Sequence, residues 1–430
     1  MKTPICDFLE KYSAENRLRL HMPGHNGEFP HDITEIHGAD SLYESDSSGG
    51  IINISEAYAA SIFGAAKTCY STCGSTLAIQ TALALLKSRG CKTIAAPRFA
   101  HRSLVSAAAL LHLNIKWLYP DEFLSVNVKY DEKALEGADA LFITNIDYYG
   151  GTWKHINPKI PVIVDNAHGA YLRFVDKHIF GTEYLHPLEM GFPLMSAESA
   201  HKTLPVLTGG AYLHFTSGVD FSRAKEMMAM FGTSSPSYQI LESLDRFNGM
   251  IADNIQLVNH ACEAVAELKE HLSQYGIPTR KSDHLRITIN ARECGYTGFE
   301  YAKQLRIAGI ECEWADDTYI VLLFSAATTI EDIQRAEMGI MFIPMKTPLP
   351  PVQRPVVKPT ADIPVYDAVF RRRKIIPLEQ AGGSVCAEIS APCPPGIPLI
   401  MPGEIIGHNE MSMLKSYGVK TVQVVAEGHL

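Results

Sequence analysis

The sequence predicts an α/β protein built on a mostly parallel sheet, followed by a smaller α+β region. Three observations carry this expectation. Short apolar, β-rich runs alternate with helical patterns from about residue 55 to 250. Several of these runs are apolar throughout, as strands covered on both faces are. The composition is that of an ordinary globular protein: 430 residues, 46% hydrophobic and 20% charged, enough for two or three domains.

In chain order, "LAIQTALALLKSRG" reads as a helix beginning at Thr76 and closed by Gly90, which supplies the left-handed cap. "KTIAAP" is a strand and "HRSLVSAAALLHL" the next helix. "IKWLYP", "ALFITNI" and "IPVIVD" are further strands. "MIADNIQLVNHACEAVAELKEHLSQYG", Met250 to Gly276, reads as one long helix leaving this domain. "LRITIN", a helix near "GFEYAKQLRIAG", "IECEW", "TYIVLLFS" and a helix in "IEDIQRAEMGIMFI" then make a small α+β domain. "PMKTPLPPVQRPVVKPT", Pro344 to Thr360, is a proline-rich, extended connector. The expected organisation is an N-terminal arm (1–30), a large domain (31–250), a small α+β domain (251–343), the linker (344–360) and a C-terminal α+β unit (361–430).

The formal net charge of −9 argues against a nucleic-acid partner, which calls for a basic face. The sequence holds no run of 18 apolar residues, so no membrane-spanning helix is expected. The first residues, "MKTPICDFLEKYS", are too acidic and too short of apolar length for a signal peptide. Nine cysteines with no CxxC pair fit reduced thiols and a cytoplasmic location. His21 and His25 stand four apart in "HMPGH", but Pro23 and Gly24 between them disfavour a helical zinc face, and no metal site is expected.

In open parallel sheets ligands bind beyond the carboxyl ends of the strands. Four stretches fall there. "CGST" places Ser75 and Thr76 at a helix start, where backbone N–H groups and hydroxyls suit a phosphate; an ordinary N-cap is the plainer alternative. In "PVIVDNAHGA", Asp165 ends an apolar strand and His168 follows. His101 follows the strand "TIAAP". "SAHKTLPVLTGG" sets Ser199, His201 and Lys202 beside apolar segments, where a lone lysine is costly unless paired or chemically used. A lysine, a strand-end acid, a phosphate cradle and a histidine are what pyridoxal 5′-phosphate requires: a Schiff-base amine, a partner for its pyridinium nitrogen, an anion anchor and a flat group against its ring.

The motifs are similar to those of a known family. "RLHMPGHNG" resembles "LHTPGHKGG", and "DITEIHGADSLYESDSSGGI" resembles "DxTELPGLDDLHxPxGxI". "DNAHGAYL" resembles "DEAHGAHF", "ESAHKTLPVLTGGAYLH" resembles "QSTHKTLxALTQxAxLH", and "TSSPSYQILESLD" resembles "TTSPSYLLLASLD". "PLEQAGGSVCAEISAPCPPGIPLIMPGE" resembles the C-terminal "PLEEAxGRIAAExVxPYPPGIPLLxPGE". The chain thus resembles the short form of the Orn/Lys/Arg decarboxylase family, with aminotransferase-like (fold type I) architecture, from about residue 18 to 410.

The resemblance implies pyridoxal phosphate as cofactor, held covalently by Lys202, with Asp165 on the ring nitrogen and His101 stacked on the ring. It implies Ser75, Thr76, Ser199 and His201 at the phosphate, and His168 near the ring oxygen or the substrate carboxylate. Ser234 is expected to reach the phosphate of a neighbouring subunit in a homodimer with shared sites. The implied reaction is decarboxylation of arginine, lysine or ornithine, with Lys202 or His201 returning the proton. Two acids, Glu404 in "MPGE" and Asp147 after "ALFITNI", are the candidates for the substrate's distal cation. The chain departs from the family pattern at Asn26, Cys73, Leu77, Asp147 and Asn166. These departures leave open a pyridoxal-phosphate aminotransferase or lyase, a decarboxylase of an atypical substrate, or an inactive regulatory relative.

Overall fold

The computed structural model describes residues 2–15, 17–33, 42–43, 50–120, 128–153, 158–352, 356–389 and 398–426. Most of "DITEIHGADSLYESDSSGGI" and the "APCPPGI" portion of the C-terminal motif lie outside the described residues.

The main sheet has seven strands: β1 (Lys67–Ser71), β2 (Thr93–Pro97), β3 (Asn114–Leu118), β4 (Ala140–Thr144), β5 (Val162–Asp165), β6 (Leu194–Glu198) and β7 (Ala211–Phe215). Their order is β1-β7-β6-β5-β4-β2-β3. All neighbours are parallel except β7, which runs antiparallel to both β1 and β6. β4 and β5 are buried along their whole length, which explains their continuous apolar sequence. The helix after β1 spans Gly74–Ser88. It begins two residues before the expected Thr76, because Gly74 takes the left-handed turn (φ +69°) out of the strand.

The second sheet has the order β10-β11-β9-β8, from β8 (Thr279–Arg280), β9 (Arg286–Asn290), β10 (Trp314–Ala315) and β11 (Tyr319–Leu323), and is antiparallel throughout. β12 (Arg373–Pro377) and β13 (Thr421–Val425) form a two-stranded antiparallel sheet in the C-terminal unit. Its small core gathers Leu378, Ile400, Leu414 and Val424.

Two expectations need correction. The single long helix is two, Tyr238–Asp253 and Gln256–Gln274. Asn254 leaves the helix at φ −144° while its N–H still bonds Met250 O, because adjacent Asp and Asn side chains favour helix ends over helix interiors. The N-terminal region is not simply an arm. Helix Pro4–Ala14 docks through Ile5 and Leu9, both fully buried, and Asp245 caps it by accepting from Ile5 N and Cys6 N at 3.0 Å each.

The loop after β4 meets the second sheet directly. Thr288 Oγ1 donates to Tyr149 O at 2.8 Å, and Tyr149 Oη donates to Asp316 at 2.5 Å. Gly150 (φ +88°) lies so close that a Cβ there would stand 2.5 Å from Ser282 Cβ. Among the described residues no helix is long and apolar enough to cross a membrane.

Candidate active site

The carboxyl ends of β5 and β6 bring the expected residues together. Asp165 ends β5, flanked by Thr144 of β4 and Ala197 of β6. It is buried, and Ala167 N donates to its Oδ1 at 3.1 Å. β6 runs straight into the short helical turn Ala200–Thr203, which carries His201 and Lys202. Backbone bonds pin this turn: Lys202 N donates to Ser199 O at 3.1 Å and His201 N to Gly210 O at 3.3 Å. The His201 Nδ1–H also donates to Gly210 O, at 3.0 Å.

Ser75 opens the helix Gly74–Ser88, and Ser199 Oγ donates to its hydroxyl at 2.8 Å. Gly74 N donates to Gly209 O at 2.8 Å, tying "CGST", "SAHK" and "LTGG" into one cradle. At Gly209 (φ +98°) a Cβ would meet Thr72 O at 2.9 Å, whereas at Gly74 nothing lies within 4 Å. The cradle is therefore closed behind at Gly209 and open at Gly74, where the helix that carries the Ser75 hydroxyl starts. That donor set, beside a buried carboxylate and a lysine, fits pyridoxal phosphate.

Lys202 Nζ lies 3.1 Å from His168 Nε2. Burial lowers the lysine's pKa and Arg286 adds to this, while Asp165 and Glu313 oppose it. The buried His168 is held well below its ordinary pKa by burial and then by Lys202 and Arg286. His101 caps the helix Arg102–Leu110, its Nδ1 accepting from Ser103 N. Desolvation lowers its pKa against the pull of Asp165, which places it within electrostatic reach of both Asp165 and Lys202.

Of the two acids expected to meet a substrate cation, Glu404 is engaged elsewhere, while Asp147 has one oxygen held in its own loop. Glu404 is buried in a two-pronged pair with Arg98, at 2.5 and 2.7 Å, and also accepts from Met401 N. Arg98 directly follows β2, so Glu404 clamps the C-terminal unit onto the main sheet. The Asp147 carboxylate turns back into its own loop, accepting from Tyr149 N at 2.9 Å and Gly151 N at 2.8 Å. Burial raises its pKa. Ser234 is exposed on the chain surface.

Several residues of the site were not foreseen. Arg286, at the start of β9, donates to His168 Nδ1 at 3.0 Å and pairs with Asp283 at 3.2 Å. Tyr148 stands edge-on to His168, with ring centres 5.0 Å apart, and its hydroxyl donates to Glu313 at 3.2 Å. Glu313 is exposed and near enough to Lys202 to raise its pKa. The only sequence signal was charge at the start of short apolar runs, in "DHLRITIN" and "IECEW".

Comparison with known proteins agrees with this geometry. Residues 27–291 match the major domain of Orn/Lys/Arg decarboxylases and residues 351–420 their C-terminal domain. An uncharacterized protein of Bacillus subtilis, YaaO, is 29% identical over 469 aligned residues, covering 96% of this chain and 94% of that protein. An arginine decarboxylase of the same organism is 28% identical, covering 96% and 93%. The crystal structure of the Francisella novicida lysine decarboxylase LdcF superposes with a TM-score of 0.82 at 15% identity, over 99% of this chain and 81% of that one, a likeness of fold. With its larger part matched by the major-domain family and its C-terminal unit by the companion family, this chain belongs to the Orn/Lys/Arg decarboxylases, enzymes that use pyridoxal phosphate.

Proposed function

We propose that this protein decarboxylates arginine to agmatine, with Lys202 carrying the cofactor. The observation that supports this most is the Lys202 amine, set between Asp165 and His168 at the sheet edge with an acid, Glu313, nearby on the facing sheet. The choice of arginine rests on the relatives named arginine decarboxylase.

When bound, pyridoxal phosphate supplies an electron sink for the pair released as the substrate's Cα–carboxylate bond breaks. The chain's own residues do the rest. Asp165 would favour a proton on the ring nitrogen by opposing its charge. Ser75, Thr76 and Ser199, with His201 beside them, would hold the phosphate at the start of the helix Gly74–Ser88, and His101 would lie against the ring. The Lys202 amino group, or His201 next to it, would be the group that returns a proton to Cα. Glu313 pairs with the guanidinium at the substrate's far end, oriented by the Tyr148 hydroxyl. A second copy completes the site by bringing Ser234 to the phosphate.

Incubation with arginine, lysine and ornithine tests the reading. Agmatine and carbon dioxide in equal amounts from arginine are expected. A 2-oxo acid, or preference for another amino acid, overturns it. Sedimentation should give at least a dimer; a fully active monomer would remove the role of Ser234.

A further inference from the structure

The contacts around His168 allow one arrangement of protons. A guanidinium only donates, so His168 Nδ1, 3.0 Å from Arg286, must accept and carries no hydrogen. The ring is therefore neutral and its hydrogen is on Nε2. That N–H points at Lys202 Nζ, 3.1 Å away. An ammonium there would set donor against donor. The contact is a hydrogen bond only if Lys202 is a free amine that accepts.

Arg286 is itself fixed from three sides. It pairs with Asp283, donates to Asp147 O at 2.5 Å and is 1% exposed. Asp283 is fully buried and accepts from Tyr171 Oη at 2.7 Å and Leu285 N at 3.1 Å. Building on the assignment of Lys202 as the cofactor lysine, we infer that the Asp283–Arg286 pair is a positioning device that locks the tautomer of His168 and so presents Lys202 to the cofactor aldehyde as a free amine. The device spans both sheets. Lys202 and His168 belong to the large domain, while Arg286 opens β9 of the small one. Other groups act on the same amine: Asp165 from β5 and Glu313 from the small domain favour its charged form. His101 and His201 also disfavour the charged form of His168. Direction and geometry agree, since burial and Arg286 both lower the pKa of Lys202.

Competitive acetylation with acetic anhydride measures the Lys202 titration in the full-length, cofactor-free protein, read by mass spectrometry of the peptide that contains it. The wild-type midpoint should lie well below that of an ordinary lysine. Arg286→Met should raise it by about one pH unit, cutting labelling at neutral pH about tenfold, and His168→Phe should do the same. In the His168→Phe background the Arg286→Met shift should shrink by more than half, because the arginine acts through the ring. Arg286→Lys, which keeps a charged donor, should recover most of the wild-type midpoint. Circular dichroism checks folding; should Arg286→Met not fold, Asp283→Asn takes its place, with an upward shift that again depends on His168. An unchanged midpoint, or shifts that add in full, would assign the effect to charge at a distance and overturn the tautomer lock. The readout needs neither cofactor nor turnover, so failure to make agmatine would leave this result standing.

Discussion

Glu404→Gln separates a clamp from a substrate contact. Glu404 and Arg98 are each 3% exposed, and two hydrogen bonds join them. Removing one partner from a buried pair leaves the other charge uncompensated, which costs about 3–5 kcal/mol. Glutamine keeps one acceptor, and Arg98 keeps Pro398 O, Leu399 O and the rings of Trp117 and Tyr119, so the loss should fall near the lower end, about 3 kcal/mol. For a C-terminal unit of about 70 residues that corresponds to a fall in its Tm of roughly 12–24 °C. Differential scanning calorimetry measures it, and limited proteolysis in the 344–360 connector should become faster as the C-terminal unit loosens. Replacing both partners by methionine should recover much of the loss, since the buried charge goes with its partner. KM for arginine should change less than thermal stability does. An unchanged Tm with a selectively raised KM would refute the clamp and return Glu404 to the substrate pocket.

Other outcomes follow from the same geometry. Borohydride reduction of the holoprotein should label Lys202 and no other lysine, and Lys202→Ala should abolish turnover; label elsewhere would displace the site. Asp165→Asn should keep measurable cofactor and lose most of kcat, whereas near-normal rates would put the ring-nitrogen partner elsewhere. Glu313→Gln should raise KM for arginine about 10- to 100-fold, the worth of one charge-assisted hydrogen bond, with cofactor absorbance unchanged. Stability should fall on acidification. Burial opposes the charge of Glu198, yet His186 and His214 beside it hold its pKa well below the ordinary range, so its contribution is present above its unfolded pKa and lost as pH drops below that value. Burial lowers the pKa of His214, so acid begins to favour the unfolded chain already below about pH 6.5. Urea midpoints between pH 7 and 4 that do not decline would contradict this.

The half of the site that lies on the main sheet was legible because local pattern marks it. A buried strand such as "VIVD" is apolar to its last residue, so an aspartate at its end stands out, and glycine with hydroxyls before a helix marks the cradle. Arg286 and Glu313 were not legible. They reach Lys202 and His168 only by the packing of a second sheet, and nothing local distinguishes them from surface charges. Glu404 misled for the opposite reason, since its partner Arg98 lies 306 residues away in sequence. The departure at Asn166 acquires a physical account. Its side-chain amide donates at 3.0 Å to Glu198 on the adjoining strand, at the place where the resembling motif has glutamine. The acid and the amide have exchanged strands, and the buried carboxylate is retained.

The close approach at Gly150 bears on how this pocket can change. The approach there is of the Gly150 backbone to Ser282 Cβ and Cα and Asp283 N, atoms that no change of rotamer moves. Any larger residue would have to part the loop after β4 from Ser282 and Asp283, the segment that leads into β9 and Arg286. If Glu313 meets the distal cation and Arg286 holds His168, as proposed above, one methyl group at this seam would act on both at once, on the reach to the substrate and on the grip on His168. A variant selected there for a longer substrate would have to restore the amine's protonation state by a second change elsewhere.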